Sequence, residues 1–111
     1  MNTPAEWMEE AARARREGRL DDACRGYAEA AALSRSGRDR RCLIRALKGA
    51  GQIERDRGNL GAALAAYREA AALAREEGDP SLLAHTIRHV GDVLRQLRRI
   101  AEAEACVIRR R

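Results

Sequence analysis

Residues 18–35 read GRLDDACRGYAEAAALSR, and residues 58–75 repeat this pattern as GNLGAALAAYREAAALAR. The two stretches keep Gly, Leu, Ala, Tyr, Glu, Ala, Ala, Ala, Leu and Arg in register, forty residues apart. A period of about 20 to 50 residues is typical of proteins that copy one supersecondary unit and bury its apolar face against neighbouring units. The pattern therefore predicts a repeat fold and favours a binding role over a catalytic one.

A weaker third copy follows at the same spacing. Columns of equivalent residues run through all three copies: Leu20, Leu60 and Ile100; Ala23, Ala63 and Ala103; Tyr27, Tyr67 and Val107; Trp7, Leu47 and Ile87; Ala11, Gly51 and Gly91. A bulky apolar residue with a small one four positions later lets a second helix approach closely at the small residue. Each copy is therefore predicted to be a pair of packed helices.

These columns resemble the tetratricopeptide repeat, whose signature is W-x2-L-G-x2-Y, then A-x3-F, then Pro. The first part falls on Trp7, Glu10, Ala11 and Ala14, on Leu47, Ala50, Gly51 and Glu54, and on Ile87, Val90, Gly91 and Leu94. The second part falls on Ala23 and Tyr27, Ala63 and Tyr67, and Ala103 and Val107. The closing Pro is missing, and the period is forty instead of about 34. The chain thus resembles a longer-period variant of the family.

The resemblance implies an all-α fold, a right-handed α-solenoid of three helix-turn-helix units in a single domain, 1–111. The units are expected at about 4–37, 38–78 and 79–111. Local signals predict six helices, because Thr3, Pro4 and Glu6 form a capping box, Gly residues interrupt the chain, and Asp79 and Pro80 start a new helix. The six are expected at about 4–18, 21–34, 39–57, 60–77, 80–97 and 100–111.

The amino-acid composition further restricts the kind of protein that this chain can be. Hydrophobic residues make up 45% of the chain but aromatic residues only 3%, so a close-packed core of Ala and Leu is expected. No stretch approaches the roughly 18 apolar residues of a membrane span, and the N-terminus lacks a signal pattern, so we expect a cytoplasmic protein. Cys24, Cys42 and Cys106 are odd in number and lack a Cys-x-x-Cys spacing, which disfavours disulfides and zinc.

The resemblance also implies where a partner binds, because the first helix of each unit lines an inner groove in this family. The residues expected to face the groove or border it are Met8, Arg15, Arg45, Lys48, Gln52, Arg55, His85, Arg88, Asp92 and Arg95. Arg15, Arg55 and Arg95 form one column, and a guanidinium in each unit suits the carboxylates of an acidic peptide. The alternative is a solvated face on which these arginines pair with Glu54, Asp56 and Asp92.

Two other binding roles remain open. The net charge of +5 and a pI near 9.8 suggest nucleic acid binding as an alternative function. It is disfavoured, because the Arg, Ala and Gly enrichment also follows from a GC-rich, bacterial-like coding sequence, and because Trp7, Tyr27 and Tyr67 lie at packing columns instead of on a stacking platform. Self-association is the second alternative. The sixth helix carries Ala101, Ala105 and Ile108 on a face that a second copy could cover.

An enzymatic role has little support in the sequence. His85 and His89 lie four residues apart on one predicted helix, but two imidazoles make an incomplete metal shell. Ser34, Ser36 and Ser81 lie at helix ends, where capping explains them. We therefore expect a protein interaction module without a cofactor.

Overall fold

The structure, a computed structural model, describes residues 3–109, and five helices account for nearly all of this range. They are α1 (Pro4–Arg16), α2 (Leu20–Ser36), α3 (Arg40–Asp56), α4 (Leu60–Glu77) and α5 (Pro80–Arg109). No strand occurs between residues 3 and 109. The all-α prediction is confirmed, and the bounds of the first four helices agree with the predicted ones to within about two residues.

Short polar side chains start three of the helices. The Thr3 hydroxyl accepts a hydrogen bond from the amide of Glu6 at 3.2 Å, and the Asp39 and Asp79 carboxylates accept amide hydrogen bonds at 3.0 and 3.1 Å. Such side chains satisfy backbone donors that have no partner within the first turn. The predicted start of α1 and the predicted cap at Asp79 are therefore confirmed.

Glycines in the left-handed region reverse the chain between α1 and α2 and between α3 and α4. Gly18 has φ +78° and Gly58 has φ +81°, a conformation that residues with a Cβ atom rarely adopt. Within the first pair, Met8 clusters with Ala30 and Ala14 clusters with Ala23, so α1 and α2 run antiparallel. In the second pair, Leu47 clusters with Ala70 and Gly51 lies beside Tyr67, so α3 and α4 also run antiparallel.

The predicted third hairpin is wrong, because α5 continues without a break through the expected turn. Arg98 occupies the position that corresponds to Gly18 and Gly58, and residues 95–101 contain no Gly, Pro or capping side chain. Arginine and leucine favour helix, whereas glycine permits the left-handed turn. The fifth and sixth predicted helices are therefore a single helix, whose predicted last residues, 110 and 111, lie outside the described range.

Each helix packs against the next one in chain order, and α1 also contacts α3. The core between the helices consists mainly of alanines with a few larger side chains, of which Tyr67 is fully buried. Gly51 makes room for this ring, since a Cβ atom at Gly51 would lie only 2.8 Å from Cε1 of Tyr67. Small residues thus set the close approach of α3 and α4. Within residues 3–109, no helix is both long and apolar enough to cross a bilayer.

Candidate functional site

The first helix of each unit contributes polar residues to one connected face. Arg15 of α1 donates from Nε to Oδ2 of Asp56 on α3 at 2.7 Å, and Arg55 of α3 donates from Nε to Oε1 of Gln96 on α5. The contacting residues are 41 positions apart in both cases, so the forty-residue repeat brings the same corner of successive units together. We call this face of α1, α3 and α5 the groove face.

The arginine column is occupied by partners from the chain itself. Arg15 pairs with Asp56, Arg95 pairs with Asp92, and Arg55 hydrogen-bonds Gln96. Of the three carboxylates expected to pair with these arginines, Asp56 and Asp92 do so. Glu54 instead accepts from the side chain of Asn59 and lies 3.5 Å from Arg57.

Asp56 shows how strongly one of these pairs is held. The hydrogen bond from Arg15 lowers the pKa of Asp56, outweighing the rise that partial burial causes, and a hydrogen bond from Gln52 lowers it further. Exposed fractions of 44% and 29% for the Arg15 and Asp56 side chains limit such a pair to about 1 kcal/mol or less. At neutral pH the carboxylate is ionised and already neutralises Arg15. Arg15 and Arg95 of this column therefore already have a carboxylate partner, whereas Arg55 is held by the neutral amide of Gln96.

A second group of basic residues has no such neutralisation. We use the name cationic cluster for Arg45 and Lys48 of α3 and His85 and Arg88 of α5. Lys48 lies close enough to Arg45 and to His85 for charge to be felt between them, and Arg88 acts on His85 in the same way. Within residues 3–109, no ion pair joins Arg45, Lys48 or Arg88 to a carboxylate. Nη2 of Arg88 lies 3.2 Å from Nδ1 of His85.

Burial and, to a smaller extent, neighbouring positive charges lower the pKa values of two members of this cluster. Burial lowers the pKa of Lys48, and the charge of Arg45 lowers it further. Burial also lowers the pKa of His85, with additional contributions from Lys48 and Arg88. Desolvation and neighbouring like charges both disfavour the protonated forms. An anion placed here would offset the repulsion between the like charges, because it would supply an opposite charge.

His89, which was not among the predicted groove residues, joins the cluster to the core. Its ring stacks on Tyr67 with 4.8 Å between centroids, and its Nε2 lies 3.2 Å from Nε2 of His85. The four-residue spacing of His85 and His89 indicated that the two side chains share a helix face. It did not show that the ring of Tyr67 on α4 stacks against His89. No set of three or more His, Cys, Asp or Glu side chains in the described part of the chain could hold a metal ion.

An apolar hollow of about 410 Å³ adjoins the cationic cluster at its α1 end. Arg45 belongs to both features, and the other lining residues are Ala5, Met8, Glu9, Ala12 and Tyr27. Met8 is only 8% exposed and packs with Ala30 and Ala46, so it supports the floor of the hollow and offers little surface of its own.

The ten predicted groove residues thus fall into three groups. Met8 is largely buried; Arg15, Gln52, Arg55, Asp92 and Arg95 belong to internal polar pairs; and Arg45, Lys48, His85 and Arg88 form the cationic cluster. The comparisons with known proteins add no assignment: no family model, no curated protein and no solved structure matches this chain.

Proposed function

We propose that this chain is a tetratricopeptide-like interaction module of the α-solenoid type that binds an acidic peptide segment of a partner protein on its groove face, without catalysis. The observation that carries the proposal is the cationic cluster of Arg45, Lys48, His85 and Arg88, which has no carboxylate partner among residues 3–109. Carboxylates of a ligand would form charge-assisted hydrogen bonds there. A cytoplasmic location is part of the same proposal.

The apolar hollow beside the cluster refines the expected ligand. Arg45 lines the hollow and also acts on Lys48, so an acidic residue bound at Arg45 would place a neighbouring residue of the same peptide near Ala5 and Ala12. The hollow, of about 410 Å³, has room for an aliphatic side chain, and burial of that side chain would add to the electrostatic attraction. The proposed ligand is therefore a peptide with clustered Asp or Glu residues followed or preceded by an aliphatic residue.

Charge reversal within the cluster tests this proposal. A synthetic peptide of about ten residues, rich in Asp and Glu and containing one Leu, is titrated into the protein by calorimetry. We expect Lys48→Glu and Arg88→Glu each to raise the Kd about tenfold or more, since each removes a charge-assisted hydrogen bond and adds repulsion. Binding by the wild type should also weaken as salt is added.

Arg68→Glu is the matched control, because it changes the net charge by the same amount at an exposed position of α4 that makes no ion pair within residues 3–109. It should leave the Kd unchanged. Equal weakening by all three variants would mean that overall charge alone attracts the peptide. An unchanged Kd in Lys48→Glu and Arg88→Glu would remove the groove face as the binding surface. Tighter binding of single-stranded DNA than of the peptide would favour the nucleic acid alternative.

A further inference from the structure

The continuous course of α5 leaves one hairpin of the repeat pattern open. Gly18 and Gly58 turn the chain at the corresponding positions of the first two units, whereas Arg98 lies within a helix of 30 residues. At a rise of about 1.5 Å per residue, this helix is about 45 Å long. The two halves of the expected third hairpin therefore lie end to end instead of side by side.

The first half of α5 leaves exposed the face that its counterparts use to pack on a second helix. Ile87, Gly91 and Leu94 correspond to Leu47, Gly51 and Glu54 of α3. Ile87 is 48% exposed, whereas Leu47 is 6% exposed and packs against α4. A Cβ atom at Gly91 would meet only Nη1 of Arg95, at 3.7 Å, whereas a Cβ atom at Gly51 would clash with the ring of Tyr67.

The second half of α5 leaves the complementary face exposed. Ile100, Ala103 and Val107 correspond to Leu60, Ala63 and Tyr67, which are 8%, 0% and 0% exposed in α4. In α5, Ile100 is 48% exposed and Val107 is 56% exposed. Leu60, Ala63 and Tyr67 also pack against Val90, Val93 and Leu97 of α5, so only part of their burial comes from α3. The exposed faces of α5 nevertheless contain both sides of the contact that Gly51 and Tyr67 make between α3 and α4.

These two surfaces cannot meet within one straight helix. Gly91 and Val107 are sixteen residues apart, which places them about 24 Å from each other along the axis. A second copy solves this problem, because two antiparallel α5 helices would bring Val107 of each copy opposite Gly91 of the other, as Tyr67 lies opposite Gly51. The contact would form twice around a two-fold axis, and a closed exchange of identical elements is a low-cost route to a dimer.

We propose that two copies of this chain exchange residues 99–109, so that Val107 of one copy packs on Gly91 of the other, with Ile100 and Ala103 along the stretch of that helix that includes Leu94. The occupant of the exposed face is a second copy because the chain already contains this contact, in register, between α3 and α4. Arg38 adopts φ +55° in the turn before α3, so an arginine can turn the chain at some cost. The residue at position 98 therefore sets the balance between a closed monomer and an exchanged dimer.

A concentration series by analytical ultracentrifugation tests the exchange with a variant that restores the turn. Arg98→Gly combined with Arg99→Asn copies Gly58 and Asn59. We expect the wild type to form a dimer and the double variant to raise the dissociation constant at least tenfold, because the third hairpin then closes within one chain. A wild type that stays monomeric at all concentrations, or that forms a ladder of larger species, would overturn the proposal.

A second pair of variants does not depend on the turn. Gly91→Leu places a side chain where Val107 of the other copy should pack, and open space around Gly91 in the single chain allows it to fold. Gly61→Leu is the control, since a Cβ atom there meets nothing within 4 Å on an exposed part of α4. We expect Gly91→Leu to abolish the dimer and Gly61→Leu to preserve it; equal dimerisation of both would contradict the proposed contact.

The Cys106 thiol provides a readout on the exchanged segment itself. It is exposed in the single chain, and its counterpart in α2 is Gly26, which is buried against Ala11 and Trp7. Alkylation of Cys106 should therefore slow as the wild-type concentration rises through the dimerisation range. A rate that does not change with concentration while a dimer forms would show that another surface makes the dimer.

Discussion

At the scale of single residues, Gly51 and Gly61 differ in what surrounds them although both lie within helices. Tyr67 fills the space beside Gly51 and is fully buried, so its ring has little freedom to move away. Gly61 faces open space. The same substitution at the two positions therefore separates helix propensity from packing.

We expect Gly61→Ala to stabilise the protein by less than about 1 kcal/mol, because alanine is favoured over glycine by about that amount in a helix interior and Gly61 lies in the first turn of α4. Gly51→Ala gains up to about 1 kcal/mol of propensity within α3 but forces a methyl group within 3.0 Å of the Tyr67 ring, and overpacking of a core costs about 1 to 3 kcal/mol. Its net effect should be destabilising, by about 1 kcal/mol. Urea denaturation of both variants checks this, and equal stabilisation by both would contradict the close approach of α3 and α4.

At the scale of elements, α5 docks on α3 and α4 through a pair of histidines. His89 stacks on Tyr67 of α4, and its charged or titratable neighbours are His85, Lys48, Arg88 and Asp92. Burial lowers the pKa of His89, the charges of His85, Lys48 and Arg88 lower it further, and Asp92 opposes them. The folded protein therefore disfavours the protonated imidazole.

The stability of the protein should consequently fall as the pH is lowered. A histidine whose pKa is lower in the folded state than its unfolded value of 6.5 binds more protons when unfolded, so its contribution is intact above that value and is lost as the pH falls below it. We expect the free energy of unfolding to decrease from about pH 7.5 to about pH 5.5, above the range where carboxylates titrate. Replacing both His85 and His89 by Gln should flatten this slope, and an unchanged slope would contradict the assignment.

The starts and ends of α1 to α4 could be predicted from the sequence because they depend on local residues such as Thr3, Gly18 and Gly58. The course of α5 was predicted wrongly, because the register of the repeat placed a turn at residue 98 although the residue there is Arg. The forty-residue spacing shows which positions of the three units are equivalent. It does not show that the chain turns there, because the turn needs a residue that tolerates a positive φ. The two kinds of information disagreed only in the third unit.

At the scale of the whole molecule, the groove face depends on contacts between units. The resemblance to the repeat family implied which basic residues belong to this face, but it could not show which of them have partners, because Asp56 contacts Arg15 and Gln96 contacts Arg55 from other units. The arginine column therefore looked the best anion site in the sequence. Among the predicted groove residues, the structure instead leaves Arg45, Lys48 and Arg88, together with Arg55, without a carboxylate partner in the described range, and Arg55 is held by the neutral amide of Gln96.

The most direct test of this account is a nuclear magnetic resonance titration of the labelled protein with the acidic peptide used to measure affinity. We expect the largest amide shift changes at Lys48, His85 and Arg88, with smaller changes at Ala5 and Ala12 beside the apolar hollow. Residues on the exposed faces of α2 and α4 should change least. Largest changes on α2 and α4, or on residues 100–108, would contradict binding at the groove face.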